Sequence, residues 1–239
     1  MTSSRRTEAE LVQAFLQGRQ LTDGHAVLLH EFETLAGIPD VVLVDVQVAE
    51  AGDTIESELM MTRMVTNGHA SVLSALHRRA WRRLEPLSES TGLALNYARR
   101  IVAELKALGL VELSPSGAVR LSEHYRPPRI RFTAMEFKLS DWRRALAQAL
   151  RHRSFAAVTV VVMPPTMGPA LQSASAVFRE YGVGSAVFDP DEMRFVYVVK
   201  PRVRTPTSSR VYLDAVGRAA LRGANRTSAI GSGADTTSS

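Results

Sequence analysis

The pattern of hydrophobic and polar positions divides the chain into segments with helical and with strand-like spacing. Near the start, Thr7 can cap a helix in which Leu11 and Phe15 lie on one buried face. Two strand-like runs follow, and they meet at a bend that begins at Gly37, a natural position for a hairpin. The run "VVLVDV" in the second strand is nearly all apolar, which is typical of a strand covered on both faces.

Alternating strands and helices return in the last part of the chain. The segment "IRFTAMEFKL" reads as a strand, and Ser140 or Asp141 can cap the helix that follows it. A buried strand, a helix that ends at Gly182 and two closing strands come next in the sequence. Strands that alternate with helices are typical of a sheet covered on both faces, so the sequence predicts a three-layer α/β domain.

The residues between these regions have a different hydrophobic pattern, which predicts three helical segments followed by a short hairpin. Tyr97 and Leu105 recur at helical spacing in the third segment, and "VELSPSGAVRLS" reads as two strands about a Pro-Ser-Gly turn. This order interrupts the α/β pattern. It predicts a mainly α-helical domain over residues 51–125, inserted into an α/β domain formed by residues 5–50 and 126–201.

Composition and charge narrow the classes of function. The formal net charge is +5, and the clustering of the arginines matters more than this value for binding an anionic partner. Because the chain contains no cysteine, disulfides, thiolate zinc sites and cysteine nucleophiles are excluded. The polar start and the lack of a long apolar run predict a soluble cytoplasmic protein with no membrane partner. The small polar residues over 223–239 predict a disordered tail.

Candidate chemistry centres on the strand that ends in "MEFK". Successive side chains of a strand point to opposite faces, so the apolar pair, Met135 and Phe137, is expected to be buried. Glu136 and Lys138 would then share the other face, where a carboxylate can hold a metal ion and an ammonium can stabilise a developing anion. Asp40, at the start of a strand beside the hairpin bend, offers a second carboxylate. The plainer alternative is a salt-bridged strand face.

These residues and their order resemble the PD-(D/E)xK superfamily, the fold of many restriction endonucleases and DNA repair nucleases. The resemblance covers about residues 5–48 and 128–200 and implies a restriction endonuclease-like core with a mixed central sheet. It also implies Mg²⁺ or Mn²⁺ as cofactor, held by Asp40, Glu136 and the backbone carbonyl of Phe137. Lys138 would orient or deprotonate the attacking water.

Two further positions follow from the same resemblance. The family often places an acidic residue on its leading helix, where Glu10 is the best match and Glu8 the next, although Glu10 can equally be an ordinary first-turn acid. Gln148 matches a polar position on the helix after the lysine strand. The sequence departs from the family in one respect, because the long segment over residues 51–125 separates its aspartate strand from its lysine strand.

That separating segment resembles a winged helix-turn-helix over residues 69–122, with the third helix as its recognition helix. Asparagine and arginine are the side chains best suited to bidentate reading of adenine and guanine edges, and phosphates attract further arginines. The candidates on the recognition helix are Asn96, Tyr97, Arg99 and Arg100. Those for phosphate contact are Arg120 on the wing and Arg78, Arg79, Arg82 and Arg83, expected on the first helix. A solvated basic face and a protein-interaction module are the alternatives.

Together these features predict a metal-dependent DNA endonuclease-like protein that a winged helix domain directs to DNA. Nucleases of this fold that cut both strands often pair two sites, so a homodimer is possible. The alternative function is a non-catalytic DNA-binding transcriptional regulator that keeps the nuclease fold, because folds persist as inactive scaffolds.

Overall fold

The computed structural model describes four stretches of the chain, which are residues 7–19, 27–46, 66–127 and 129–231. The chain forms two compact units. The sheet unit consists of residues 1–47 and 130–207, and the helical unit consists of residues 48–129 and 208–239. The chain therefore passes from the sheet unit to the helical unit and back close to the predicted domain boundaries. The C-terminal segment also belongs to the helical unit.

Helices and strands are numbered here in chain order. The helices are α1 (Glu8–Arg19), α2 (Asn67–Ala75), α3 (Leu84–Thr91), α4 (Leu95–Ala107), α5 (Trp142–His152), α6 (Gly168–Ser173), α7 (Ser175–Tyr181) and α8 (Ser209–Gly231). The strands are β1 (Val27–His30), β2 (Val41–Val46), β3 (Val111–Leu113), β4 (Val119–Leu121), β5 (Ile130–Phe137), β6 (Val158–Met163), β7 (Gly184–Asp189) and β8 (Arg194–Val199). A short 3-10 helix covers Pro165–Met167.

A mixed sheet forms the centre of the sheet unit. Within the described residues it has six strands in the order β1-β2-β5-β6-β7-β8. The pairs β5/β6 and β6/β7 are parallel, and the other three pairs are antiparallel. In the antiparallel pair of β2 and β5, Val41 lies opposite Met135. The predicted α/β class and its mixed sheet are therefore confirmed.

Helices cover both faces of this sheet. Helix α1 packs Leu11 and Phe15 against Phe137, Val160 and Val162, and the rings of Phe15 and Phe137 lie 5.2 Å apart. Helices α5, α6 and α7 pack against the residues of β6 that point to the other face, Val161 and Met163. Each fully buried side chain of this kind contributes about 1.5–3 kcal/mol to folding. The unit therefore has three layers, with β5 and β6 at the centre of the sheet.

In the described part of the helical unit, three helices, α2 to α4, are followed by the β3–β4 hairpin, in the order that the sequence predicts. Its core joins all of these elements through buried residues such as Leu73, Leu87, Ile101 and Val119. Helix α8 adds Leu213 to the same core. Residues from Ser209 onward therefore contribute a helix to this unit.

The first helix of the helical unit is shorter than its hydrophobic pattern predicts. Helix α2 ends at Ala75, and the next residue, Leu76, is extended. Arg82 pairs through its backbone with Val119, with N···O distances of 2.9 and 2.8 Å, and its guanidinium donates to the carbonyl of Ala75 at 2.8 Å. The four arginines predicted on this helix therefore lie in the connection after it. They are Arg78, Arg79, Arg82 and Arg83.

The C-terminal segment also differs from the prediction. Helix α8 continues to Gly231 and so includes the first part of the segment 223–239, which the composition predicted to be disordered. Residues 232–239 lie outside the described residues. No helix in the described part of the chain is both long and apolar enough to cross a membrane.

Candidate functional site

Asp40 lies at the hairpin end of β2, beside the last residues of β5. Because Val41 pairs with Met135 in an antiparallel register, Asp40 is placed next to Glu136. Its Oδ2 accepts a hydrogen bond from the backbone N–H of Phe137 at 2.7 Å. The sequence prediction that Asp40 and the "MEFK" strand come together therefore agrees with the geometry.

Electrostatics distinguish Asp40 from an ordinary surface aspartate. Burial raises its pKa above the usual 3.8, and the N–H of Phe137 works against this rise. The negative charges of Glu136 and Glu8 add to the rise in pKa, while the positive charge of Lys138 opposes it. Three carboxyl groups and one ammonium group are thus close enough to influence one another.

Glu136 is held by a histidine to which the sequence analysis assigned no role. Its Oε1 lies 2.5 Å from Nε2 of His152, and each side chain is 2% exposed. His152 occupies the last turn of α5, a helix on which Ala145 and Ala149 are also buried. These residues recur at spacings of four and three, so the helical periodicity contained the signal that His152 faces the sheet. The other ring nitrogen, Nδ1, is buried without a hydrogen-bond partner within the described residues.

Lys138 does not share the surroundings of Glu136. Its ammonium donates to Oε2 of Glu8 at 2.8 Å, and only 14% of the lysine side chain is exposed. Glu8 begins α1, the helix on the sheet face that buries Phe137, whereas His152 belongs to the opposite layer. The expected shared face for both charged side chains is therefore absent. Lys138 follows the last residue of β5, so strict alternation of side chains no longer constrains it.

The two remaining candidates of this unit, Glu10 and Gln148, have different surroundings. Glu10 closes a capping box, since its Oε2 accepts the N–H of Thr7 at 2.6 Å and its own N–H donates to Oγ1 of Thr7 at 3.2 Å. Of the two acids predicted on the leading helix, Glu8 is therefore the one that contacts Lys138. Gln148 lies one turn before His152 on α5, and its Oε1 is buried without a hydrogen-bond partner in the described part of the chain.

The described carboxylates of this unit do not form a complete set of side-chain ligands for a metal ion. The described residues contain no group of three or more His, Cys, Asp or Glu side chains that could hold an ion. Asp40 and Glu136 are two neighbouring carboxylates, and the carbonyl of Phe137 lies between Glu136 and Lys138 in the chain. Mg²⁺ characteristically takes one or two carboxylates and keeps several waters, so such a sparse set of ligands suits it.

In the helical unit, the predicted recognition helix presents three of its four candidates to solvent. Asn96, Arg99 and Arg100 are exposed on α4, while Tyr97 is half-buried. Nη1 of Arg99 donates to Oδ1 of Asn96 at 3.2 Å. Arg100 lies 4.8 Å from the ring centroid of Tyr97 and 3.5 Å from a carboxylate oxygen of Glu104. The exposed side chains form a polar, basic surface on the first half of this helix.

Arg120, predicted to contact phosphate from the wing, is engaged within the hairpin. Its Nε and Nη2 donate to Oε2 of Glu112 at 3.0 and 2.8 Å. This hydrogen bonding is the main reason that the pKa of Glu112 is lowered. The guanidinium also lies 4.5 Å from the ring centroid of Trp81. Because Glu112 compensates its charge, Arg120 is less suited to phosphate than the prediction assumed.

No family model matches this sequence, and no curated protein matches it. What the candidate residues can do must therefore be inferred from their own geometry. In the sheet unit, that geometry is a cluster of Asp40, Glu136, Lys138 and Glu8 where β2 begins and β5 ends. In the helical unit, it is a set of exposed arginines on α4 and in the connection after α2.

Proposed function

We propose that the sheet unit is a metal-dependent nuclease domain with a restriction endonuclease-like core, and that the helical unit is a winged helix domain that binds DNA. The observation that carries the proposal is that Asp40, just before β2, lies beside the end of β5, where the charges of Glu136, Lys138 and Glu8 all act on its carboxyl group. Asp40 contacts the backbone of Phe137, and Lys138 contacts Glu8. The substrate would be a phosphodiester bond of DNA, whose negative charge suits the exposed arginines of the helical unit.

The residues of this cluster fit a divalent cation. The pKa of Asp40 is raised by burial and by two neighbouring carboxylates, and a bound cation would offset this repulsion. Asp40, Glu136 and the carbonyl of Phe137 supply the hard oxygen ligands that Mg²⁺ and Mn²⁺ prefer. When bound, the ion would supply positive charge that stabilises the negative charge developing on the phosphate.

Lys138 would orient the attacking water and stabilise the developing negative charge. Its side chain is only 14% exposed, and partial burial strengthens its interactions with nearby charges. Glu8 would hold this ammonium in position, because the two groups already form an ion pair at 2.8 Å. His152 would fix the orientation of the Glu136 carboxylate through Oε1, so that Oε2 is the oxygen with which Glu136 could bind an ion.

The test is cleavage of supercoiled plasmid in Mg²⁺ or Mn²⁺ by the wild type and by Lys138→Ala. We expect nicking or linearisation by the wild type and a loss of about a hundredfold or more in the variant, as for other groups that stabilise charge developing in a transition state. Lys200→Ala is the matched control, since Lys200 is an exposed lysine of the same unit and should leave cleavage unchanged. Equal cleavage by all three proteins would remove Lys138 from the site. Linearisation without a nicked intermediate would indicate two sites acting together, as in a homodimer.

A second candidate function is a DNA-binding regulator that has the nuclease fold without its chemistry. The burial of Glu136 favours it, because a carboxylate that is 1% exposed and held by His152 is less accessible to an ion. Thermal unfolding separates the two functions. A nuclease should gain stability from Mg²⁺ or Mn²⁺, and Asp40→Ala should abolish this gain, whereas a regulator should bind DNA without any response to these ions.

A further inference from the structure

The connection between α2 and α3, residues 77–83, carries an exposed tryptophan within a run of arginines. Its sequence is "HRRAWRR", and it contains no acidic residue. Trp81 is 46% exposed, which is unusual for the largest apolar side chain. We call these seven residues the Trp81 loop. An aromatic ring among uncompensated cations is the combination found where proteins bind single-stranded nucleic acid.

The indole of Trp81 is held in place by the β3–β4 hairpin. The guanidinium of Arg120 lies 4.5 Å from its ring centroid, and two hydrogen bonds anchor that guanidinium to Glu112. The backbone of Arg82, the next residue, pairs in both directions with Val119. A ring fixed in this way loses little conformational entropy when a ligand stacks against it. Arg120 covers one face of the indole, so a ligand would stack against the other.

The arginines of the Trp81 loop keep their positive charge uncompensated. Arg78 donates to the carbonyl of Tyr125, and Arg82 donates to the carbonyl of Ala75, and both acceptors are neutral groups. Arg79 and Arg83 are exposed. Across the described residues, none of these four arginines forms an ion pair with a carboxylate. Hydrogen bonds to carbonyls orient the guanidinium groups and leave their charge available for phosphates.

We propose that the Trp81 loop binds a single-stranded segment of nucleic acid, with an unpaired base stacked on Trp81 and its phosphates on the neighbouring arginines. This inference rests on the proposed function only in taking nucleic acid as the partner. In a continuous duplex, the faces of the bases are covered by their neighbours in the stack. An exposed indole can therefore stack only on a base that is unpaired, at an end, in a flap or in a single strand. The substrate class is then DNA that contains such a segment.

Tryptophan fluorescence tests this inference directly, because the chain contains two tryptophans, Trp81 and Trp142. The variant Trp142→Phe keeps Trp81 as its sole reporter, and Trp81→Phe keeps Trp142. We expect an oligothymidylate of about 15 nucleotides to quench the fluorescence of the first variant and to leave that of the second unchanged. Unchanged Trp81 fluorescence at saturating oligonucleotide, with binding seen by anisotropy, would overturn the proposal.

Affinity provides the second measurement. Trp81→Ala should weaken binding of the oligothymidylate by roughly 5- to 100-fold, and Trp81→Phe should recover part of the loss because phenylalanine also stacks. Binding of relaxed circular plasmid DNA, which has neither ends nor unpaired bases, should be the same in all three proteins. An equal loss for both ligands, or no loss for either, would contradict a stacked base. The fluorescence measurement uses variants that keep an aromatic ring at position 81, so it stands even where Trp81→Ala folds poorly.

These measurements also separate the inference from the proposed nuclease. Neither the fluorescence change nor the affinity requires a divalent ion or an active Lys138. Plasmid cleavage without a response of Trp81 would refute the stacking surface and leave the nuclease in place. A response of Trp81 without cleavage would support the surface and count against the nuclease.

Discussion

At the scale of single residues, the sheet unit is distinguished by charged groups in places where charge is unfavourable. Asp40 is half-buried with Glu136 and Glu8 nearby, and its pKa is raised mainly by burial and further by their charges. Glu136 and His152 are more deeply buried still, and each has the other as its partner. Buried charged groups of this kind reduce the stability of the fold. They occur at functional sites, and they also occur in structural ion-pair networks.

The first prediction concerns Asp40 and pH. Since its folded-state pKa lies above 3.8, the native state binds more protons than the unfolded state between these two pKa values. Its contribution to stability is therefore greatest at pH values below 3.8 and is lost as pH rises through the folded-state pKa. Asp40→Asn keeps an oxygen for the N–H of Phe137 and removes the charge, so the variant should become more stable relative to wild type as pH rises.

This difference can be measured by urea unfolding without divalent ions, in a pH series that begins at 3.8, the ordinary pKa of the carboxyl, and extends upward to neutral pH. Asp45→Asn, in the strand that directly follows Asp40, controls for the general loss of one negative charge. A constant difference between Asp40→Asn and wild type across this interval would show that Asp40 titrates as an ordinary carboxyl.

The second prediction concerns the buried pair of Glu136 and His152. Replacing His152 with leucine leaves the Glu136 carboxylate buried without its partner, so we expect a loss of about 3–5 kcal/mol in the free energy of unfolding. The double variant Glu136→Leu with His152→Leu should lose markedly less, because no uncompensated polar group remains. Urea unfolding of the two single variants and the double variant forms a mutant cycle. Additive losses in that cycle would mean that the two side chains are not energetically coupled.

At the scale of helices and strands, local signals in the sequence predicted most of the elements. They failed where contacts between residues far apart in the sequence determine the structure. The α4 helix, the β3–β4 hairpin and the strands from β5 onward follow their hydrophobic patterns. The end of α2 does not, since the backbone pairing of Arg82 with Val119 and the capping of Ala75 by Arg82 stop a helix that the periodicity would extend. Similarly, the resemblance in the order of elements predicted that Asp40 and the "MEFK" strand come together, whereas the pairing of His152 with Glu136 depends on how α5 crosses the sheet.

The third prediction concerns α8 as an element of the helical unit. Leu213 is 5% exposed in the core formed with α2 and α4, so Leu213→Ala should destabilise this unit by about 2–5 kcal/mol. Leu221→Ala is the matched control, because Leu221 lies on the same helix and is 52% exposed. Amide hydrogen exchange can locate the effect: protection should fall in α2 and α4 and persist in β6. Equal loss of protection in β6 would mean that the two units unfold together.

At the scale of the whole molecule, the sequence indicated two units but did not predict every point at which the chain passes from one unit to the other. Its pattern assigned residues 51–125 to an inserted domain, and the chain indeed changes unit near residues 47 and 129. A third crossing after residue 207 was not predicted, because the apolar spacing of α8 shows that a helix forms there without showing which core receives it. Membership in a core depends on contacts between residues far apart in sequence, and local periodicity carries no information about them.

The third crossing has a consequence for how the protein is made. A ribosome synthesises the chain from its N-terminus, and domains generally fold as units once their residues have emerged. The sheet unit has all of its residues by residue 207, although it begins first and is interrupted. The helical unit begins at residue 48 and still lacks Leu213 when the sheet unit is complete. During synthesis the core of the helical unit therefore stays incomplete until α8 emerges and supplies Leu213.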